Sequence, residues 1–318
     1  MAKDFQRIAR AVHYAYVVMT LPFAISFIAA SRAIHPAYRV GYLKRIALGV
    51  RFFLNTVRVR TGTSYKLHLA MAMKLLELPP DEQGIVVECG AWKGGSAINL
   101  SLACAATGRE LWIYDSFRGL PPPVAGDREA VHYRPGDYAG SITEVQRNLR
   151  RYGAPDRCRF VQGWFDETLS APLARPVVLA FIDVDLEASL DTCVRAIWPA
   201  LTPHASMFID EAVNPDYCAL FYSERWWSET FGRTPPGLIG AGSGLPLGTY
   251  YIGPWSQLQD HPLQHQGTGA YTGPWGSGVW TYRRGDGRVG GQAPPRLTSR
   301  RSTDVVEPSG ADGPSSAV

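Results

Sequence analysis

The segment from residue 85 to residue 96 places the strongest constraint on the fold. An apolar run from Ile85 to Val87 is followed by Glu88, Gly90 and the cluster Gly94 to Ser96. The run predicts a buried strand, and the glycines predict a tight turn, because glycine lets the backbone bend and approach a ligand closely. The first turn of the following helix offers free N–H groups to an anion. This order predicts a nucleotide-like cofactor at the carboxyl end of a parallel sheet.

Two common phosphate-binding motifs do not fit this segment. The dinucleotide pattern G-x-G-x-x-G fails because Gly90 and Gly94 are separated by three other residues, and no Gly-Lys-Ser/Thr follows to make a phosphate loop. The pattern that fits is E-x-G-x-x-x-G-G-S, from Glu88 to Ser96, which is typical of S-adenosylmethionine (SAM) sites. Within it, Glu88 supplies an acceptor for an ammonium or a hydroxyl group. A glycine turn that serves packing alone is the alternative at this point.

Charge and cysteine content narrow the class of protein. The chain has 318 residues with a net charge of +4, from 32 basic and 28 acidic residues, and this balance does not predict a nucleic-acid partner. Its five cysteines are scattered, without any C-x-x-C spacing. We therefore expect buried thiols in a reducing compartment, the cytoplasm, and neither a disulfide framework nor a zinc site.

The N-terminal region has an unusual composition. Residues 14–31 contain no charge, and basic residues are much denser after this segment than before it. Eighteen residues are at the short end of a membrane span, so three alternatives stay open: a membrane anchor, a helix in an oligomer interface, and a signal peptide. The positive-inside rule would place the body of an anchored chain on the cytoplasmic face. We also expect a homo-oligomer.

The middle of the chain alternates between strand and helix patterns. This alternation predicts an α/β fold, a doubly wound and mostly parallel sheet with an N-terminal helical extension. We divide the chain into a hydrophobic and basic helical region (1–60), a cofactor-binding domain (61–284) and a disordered tail (285–318). The predicted strands are Ile85–Glu88, Leu111–Tyr114, Arg159–Gln162, Val177–Ile182 and Ala205–Ile209. The predicted helices are Tyr38–Val59, Tyr65–Leu78, Ser96–Ala106, Ile142–Tyr152, Leu186–Pro199 and Tyr217–Phe231.

The second predicted strand ends at an acidic residue, Asp115, which is followed by Ser116. An acidic residue in this position of a nucleotide-binding sheet accepts hydrogen bonds from ribose hydroxyls. A helix cap or a solvated loop acid is the alternative interpretation. The glycine turn one strand earlier favours the ribose contact.

Four carboxylates follow two later strands, which we expect to be neighbours. They are Asp183 and Asp185 after one strand, and Asp210 and Glu211 after the next. Because like charges repel at short distance, such a cluster favours a bound cation, and oxygen ligands suit Mg²⁺ or Ca²⁺. The alternative is that two cap the following helices and two are solvated.

Two further groups are candidates for the site. Gly163, Trp164 and Phe165 follow the third strand, where an aromatic pair can wall an adenine ring or serve core packing alone. His132 lies in a loop that we expect to close over substrate, which makes it a candidate base, although a lone histidine is more often a satisfied surface or core residue.

Taken together, five motifs resemble the macrocin O-methyltransferase family (TylF/MycF-like enzymes). The resemblance extends from about Thr61 to Trp226. The motifs occur in the order Val87-Glu-Cys-Gly-Ala-Trp-Lys-Gly-Gly-Ser96, Asp115-Ser-Phe-Arg-Gly-Leu-Pro121, Gly163-Trp-Phe-Asp-Glu-Thr-Leu169, Ile182-Asp-Val-Asp-Leu186 and Phe208-Ile-Asp-Glu211.

The resemblance implies a SAM-dependent, Mg²⁺-dependent O-methyltransferase. It implies that the cofactor is held by Glu88, Gly90, Asp115 and Ser116, with the turn from Gly163 to Phe165 near adenine. The metal ligands that it implies are Asp183, Asp210 and Glu211, where the family usually has Asp-Asp at the last pair.

We expect the acceptor to be a small hydroxylated molecule, a sugar or another secondary metabolite, and Asp183 or a loop residue to take its proton. A SAM-binding scaffold at the membrane that no longer turns over is the alternative function.

Overall fold

The structure is a computed structural model of the chain. It describes residues 15, 18–124, 133–210, 220, 221, 223–233 and 280–282. The predicted tail at 285–318 and most of residues 234–284 lie outside the described residues. Of the helix predicted at 217–231, only residues 220, 221 and 223–231 are described.

The described elements follow the predicted alternation. The helices are α1 (Leu21–Ala30), α2 (Tyr42–Arg58), α3 (Tyr65–Glu77), α4 (Gly95–Thr107), α5 (Ile142–Tyr152), α6 (Phe165–Thr168), α7 (Glu187–Ile197) and α8 (Glu224–Phe231). The strands are β1 (Ile85–Cys89), β2 (Leu111–Asp115), β3 (Cys158–Gln162), β4 (Val177–Ile182), β5 (Leu201–Ile209) and β6 (Trp280–Tyr282). Strand β5 begins four residues earlier than predicted.

One sheet joins all six strands in the order β3-β2-β1-β4-β5-β6. Strands β1 to β5 are parallel, and β6 runs antiparallel to β5 at the edge. The chain order reverses between β1 and β4, which is where open parallel sheets bind ligands. The predicted doubly wound α/β fold is confirmed, and β4 and β5 are neighbours as expected.

Both faces of the sheet are covered, which is why the central strands are apolar without alternation. Side chains such as Val86 and Phe181 pack on one face in a cluster with helices α3 and α4. Val87 and Ile182 point to the other face, where Trp227 of α8 is completely buried. Glu88 lies between these apolar positions in β1 and is also completely buried.

The N-terminal helices pack on the first of these faces. In α1, Ile28 is fully buried within the core cluster, and Ile25 and Ile28 border Gly49 of α2. Helix α1 has ten residues, so it spans about 15 Å. Within the described part of the chain, no helix is long and apolar enough to cross a membrane.

Helix α2 starts later than the predicted Tyr38. Residues Pro36–Tyr38 form a 3₁₀ turn, and Arg39 takes a left-handed conformation with φ of 53°. The regular helix therefore begins at Tyr42. Helix α3 begins as predicted, because the Ser64 hydroxyl accepts a hydrogen bond from the Leu67 N–H at 3.3 Å.

The turn after β1 is fixed by a close approach of two strands. Gly90 has φ of +85°, and a Cβ at this position would overlap the carbonyl oxygen of Asp183 at the end of β4. Its N–H donates to the Tyr114 carbonyl in β2 at 3.0 Å, while the Asp183 N–H donates to the Cys89 carbonyl at 2.9 Å. Gly90 thus holds the ends of three strands together.

We expect Gly90→Ala to destabilise the fold much more than Gly108→Ala. Both glycines have positive φ, 85° and 77°, but a Cβ at Gly108 would meet nothing within 4 Å. The control should therefore lose about 1–2 kcal/mol from the left-handed backbone alone. The clash at Gly90 should add several kcal/mol. Urea unfolding of both variants measures the difference, and equal losses would contradict the close approach.

Candidate active site

A cavity of about 230 Å³ lies at the carboxyl edge of the sheet. It is lined by residues at the ends of β1, β2, β4 and β5 and in the turn after β3. Its lining includes eight predicted cofactor or metal residues, together with Asp185: Gly90, Asp115, Ser116, Gly163, Trp164, Phe165, Asp183 and Asp210. The remaining lining residues are Gly62, Trp92, Gly119, Leu120, Pro121, Tyr138, Val184 and Ser189.

The carboxylate of Asp115 is the anchor of two loops. Its Oδ2 accepts hydrogen bonds from the N–H groups of Ala91 at 2.7 Å and Trp92 at 3.2 Å, and its Oδ1 accepts from Phe117 at 2.6 Å. Burial raises its pKa, and these three bonds oppose the rise. Each carboxylate oxygen has two lone pairs, so the group retains acceptor capacity toward a ligand in the cavity.

Ser116 shapes the loop after β2 through its hydroxyl. Its Oγ donates to the Gly119 carbonyl at 3.0 Å and accepts from the Arg118 N–H at 3.0 Å. Gly119 has φ of +86° and lies against the backbone of Gly136 and Asp137. The Ser116 hydroxyl therefore makes its hydrogen bonds within the loop, and it shapes the cavity wall by holding this loop in place.

The structure does not bring Glu88, Gly94 or Ser96 to the cavity wall. Gly94 and Ser96 act at the start of α4, where Gly94 takes φ of +82° and lies against Val145 of α5. Ser96 is buried in the first turn of that helix.

Glu88 is a completely buried acid. Burial is the largest cause of a rise of its pKa to about 8, the neighbouring Ser96 hydroxyl works against this rise, and the charge of Asp115 adds to it. Among the described residues, no group makes a well-formed hydrogen bond to either carboxyl oxygen. Burial therefore favours the neutral form of this carboxyl.

Three aspartates lie at the carboxyl ends of β4 and β5. Asp183, Asp185 and Asp210 all line the cavity. The pKa of Asp210 rises to about 7, mainly because it is buried and also because of the charge of Asp185. Asp185 has a φ of 59°. Burial raises the pKa of its carboxyl, and a hydrogen bond with Tyr133 opposes this rise.

The predicted metal cluster is described only in part. Glu211 lies outside the described residues, as does the candidate base His132. Within the part that is described, no three His, Cys, Asp or Glu side chains come together as a metal site.

The turn after β3 places its aromatic side chains on the cavity, as predicted. The Gly163 N–H donates to the Asp115 carbonyl at 3.1 Å. The Trp164 N–H donates to the Glu167 carboxylate at 3.2 Å, which begins the short helix α6. Trp164 and Phe165 are half-buried and line the cavity beside Asp115.

Two aromatic residues that line the cavity, Trp92 and Tyr138, were not among the predicted site residues. Trp92 and Tyr138 pack edge to face with ring centroids 5.5 Å apart, and the Arg60 guanidinium lies 5.2 Å from the Trp92 ring centroid. Trp92 and Tyr138 have positive φ values of 45° and 56°. Non-glycine residues in this conformation are uncommon and cluster at functional sites. Trp92 lies within the glycine motif, but the sequence gives no indication that Tyr138 joins it.

A buried polar network behind the cavity was also missed. Asn55 donates to Asn99 Oδ1 at 2.9 Å, and Asn99 Nδ2 lies 2.9 Å from Nδ1 of His68. Nε2 of His68 lies 2.7 Å from Oγ1 of Thr63, which in turn lies 3.1 Å from Oγ1 of Thr61.

The direction of these bonds fixes the state of His68. Asn99 Nδ2 is a donor, so Nδ1 of His68 accepts and Nε2 carries the hydrogen that goes to Thr63. Burial lowers the His68 pKa to about 3, which keeps the ring neutral. Because Thr61 packs against Gly95 and Gly62 lines the cavity, the network holds this loop beside the start of α4.

The comparisons with known proteins agree with this architecture. The O-methyltransferase NovP has a similar solved structure, with a TM-score of 0.53 and 22% identity, covering 85% of this chain and 99% of NovP. The fold is that of class I SAM-dependent methyltransferases. The model of the macrocin O-methyltransferase (TylF) family matches residues 71–226. This match confirms the resemblance seen in the motifs.

Named relatives are O-methyltransferases. A tetracenomycin rhamnosyl 4'-O-methyltransferase from Streptomyces olivaceus is 37% identical over 139 residues, 40% of this chain and 52% of the relative. The mycinamicin III 3''-O-methyltransferase from Micromonospora griseorubida is 34% identical over 147 residues, 42% of this chain and 56% of the relative. The match thus spans about half the length of these relatives.

We expect the stability of the wild type to fall between about pH 4.5 and pH 8 through Glu88. Its pKa is higher in the folded chain than its ordinary value of 4.5, so unfolding releases a proton in this range and is favoured as pH rises. The contribution is on the order of a few kcal/mol. Urea unfolding across this range should show a larger fall in the wild type than in Glu88→Gln, which retains only the contributions of other buried acids such as Asp210. Parallel pH profiles would contradict a buried, neutral carboxyl.

We expect Asn99→Leu to cost more stability than Asn55→Leu. Asn99 makes bonds to three groups, whereas Asn55 makes one, and the Asn55 Oδ1 has no partner among the described residues. Asn99→Leu should lower the free energy of unfolding by about 2–4 kcal/mol, and Asn55→Leu should lower it by about 1 kcal/mol. Chemical denaturation at one pH compares them, and a larger loss in the Asn55 variant would contradict the network.

Proposed function

We propose that the chain is a SAM-dependent O-methyltransferase that acts on a hydroxyl of a sugar or related secondary metabolite. The observation that carries the proposal is the cavity at the β1–β4 reversal, where Gly90, Asp115 and Asp183 meet. The match of residues 71–226 to the model of the macrocin O-methyltransferase family supports the reaction class. The name of the Streptomyces olivaceus relative includes a rhamnosyl group and that of the Micromonospora griseorubida relative a secondary metabolite, mycinamicin III, which supports the acceptor class.

The cofactor would lie across the ends of β1, β2 and β3. Asp115 would accept from the ribose hydroxyls, and the half-buried rings of Trp164 and Phe165 would wall the adenine. Gly90 leaves room for close approach because it has no Cβ. Glu88, whose carboxyl lacks a partner in the described residues, would be stabilised as an anion by the positive charge of the cofactor.

The acceptor would lie at the ends of β4 and β5. When bound, SAM would supply the methyl group, with its sulfur as the leaving group, and Asp183 would accept the proton that the acceptor hydroxyl loses. The role of Asp183 here is to hold and orient the hydroxyl and to remove its proton. His132 is the second candidate base.

We propose Mg²⁺ as a further cofactor, held by Asp183, Asp210 and Glu211. The donor set fits, because carboxylate oxygens suit this ion and the raised pKa of Asp210 marks a place where negative charge lacks compensation. When bound, the ion would lower the pKa of the acceptor hydroxyl. We further propose residues 61–284 as the catalytic domain and residues 1–60 as its helical extension.

SAM titration calorimetry tests the cofactor site. We expect binding by the wild type and affinity at least tenfold weaker for Asp115→Ala, because the variant loses both the ribose acceptor and the anchor of two loops. Asp156→Ala, an exposed acid in the 3₁₀ turn before β3, is the control and should bind like the wild type. A wild type that does not bind SAM would overturn the proposed function.

Product detection tests the reaction. Extracts incubated with enzyme and SAM should yield a metabolite heavier by one CH₂ group. Asp183→Asn should still bind SAM but form product about 10²–10⁴-fold more slowly, because it lacks the proton acceptor. Undiminished product with EDTA would remove Mg²⁺ from the proposal, and SAM binding without any product would favour the scaffold alternative.

A further inference from the structure

Helix α2 presents an apolar stripe outward from the core. Its members are spaced by four, three, four and three residues, which places them in one row along the helix. Leu43 is 78% exposed and Val57 is 56% exposed. The row consists of Leu43, Ala47, Val50, Leu54 and Val57, which we call the α2 stripe. The fully buried residues Gly49, Phe52 and Asn55 form the opposite side of the helix, whereas Val50 and Leu54 of the stripe are only partly buried.

A row of basic side chains borders the stripe. Lys44, Arg51 and Arg58 are seven residues apart and all exposed, so they follow one flank of the helix. The sequence from 18 to 76 contains no Asp or Glu. The exposed side of the helix therefore carries the apolar α2 stripe with a row of positive charges beside it.

Three arginines gather around Tyr152 at the end of α5. Arg51 donates to the Tyr152 carbonyl at 3.1 Å, and the guanidinium carbons of Arg58 and Arg151 lie 5.6 and 5.2 Å from its ring centroid. Within the described residues, none of these arginines forms an ion pair with a carboxylate. Guanidinium groups in such a cluster are well suited to bind phosphate.

We propose that this face docks on a membrane surface that carries anionic lipids. The α2 stripe would enter the boundary between headgroups and acyl chains, while Arg51, Arg58 and Arg151 contact lipid phosphates. The helix lies in the plane of the surface and does not cross the bilayer, which agrees with its 17-residue length and mixed composition. This docking is independent of the methyl transfer proposed above.

Charge favours a lipid surface over a second copy of the chain. Two copies packed through the same face would bring their basic rows together, and residues 18–76 supply no carboxylate to separate them. A free phosphate ion would use the arginines but leave the stripe exposed to water. An anionic bilayer satisfies the apolar row and the basic row at once.

Vesicle flotation with the full chain tests the proposal. We expect binding to vesicles of equimolar phosphatidylcholine and phosphatidylglycerol, and little binding to phosphatidylcholine alone. Arg51→Gln with Arg58→Gln should weaken the binding by about fivefold for each arginine. Leu43→Ser with Val57→Ser should weaken it to a similar extent, because both apolar side chains leave the interface.

The matched control is Arg225→Gln with Arg233→Gln, which also removes two positive charges. Arg225 lies in the first turn of α8 and Arg233 lies just beyond its last residue, and both are exposed. The control should bind vesicles like the wild type, and urea unfolding should confirm that all variants are folded. Equal binding to both vesicle types, or binding that Leu43→Ser with Val57→Ser leaves unchanged, would overturn the proposal. A dimer in sedimentation that these two changes abolish, without vesicle binding, would assign the face to self-association.

Discussion

The contact between Gly90 and the backbone of Asp183 is the constraint on which the site depends. Because Gly90 has no Cβ, the end of β1 reaches the end of β4 without the overlap that any other side chain would cause. Hydrogen bonds from Gly90 to Tyr114 and from Asp183 to Cys89 extend this contact to β2. The carboxylate of Asp115 then fixes the loops after β1 and β2. The cavity is the space left between these strand ends.

Much of the fold was predictable, because local signals agreed with the global arrangement. Ser64 and the alternation of apolar runs with helical patterns predicted α3 and the parallel strands. Residues at strand ends, such as Asp115 and Asp183, were predicted to meet because parallel strands finish at one edge. Element boundaries were less accurate: β5 begins at Leu201, since pairing with β4 extends it beyond its apolar core.

Other parts of the site were not predictable from sequence. Glu88 belongs to the glycine motif, yet its side chain points between sheet and helices, and only the strand's orientation decides this. Tyr138 reaches the cavity through a loop distant in sequence from Trp92. The His68 network joins α2, α3 and α4, whose mutual packing no local pattern encodes. The predicted homo-oligomer, and the roles of His132 and Glu211, stay predictions.

The two faces of the molecule have different physical characters. The cavity edge carries several carboxylates, and burial, together with the charge of Asp185, raises the pKa of Asp210 there. The exposed side of α2 is apolar and positive, with three arginines around Tyr152.

Hydrogen exchange of the backbone amides, with and without S-adenosylhomocysteine, tests the location of the cofactor site most directly. We expect slower exchange in peptides that cover 88–96, 115–121 and 163–169, because a ligand there would bury the turns after β1, β2 and β3. Peptides of α2 should exchange unchanged. Protection confined to other segments, with these three turns unaffected, would contradict this location of the cofactor site.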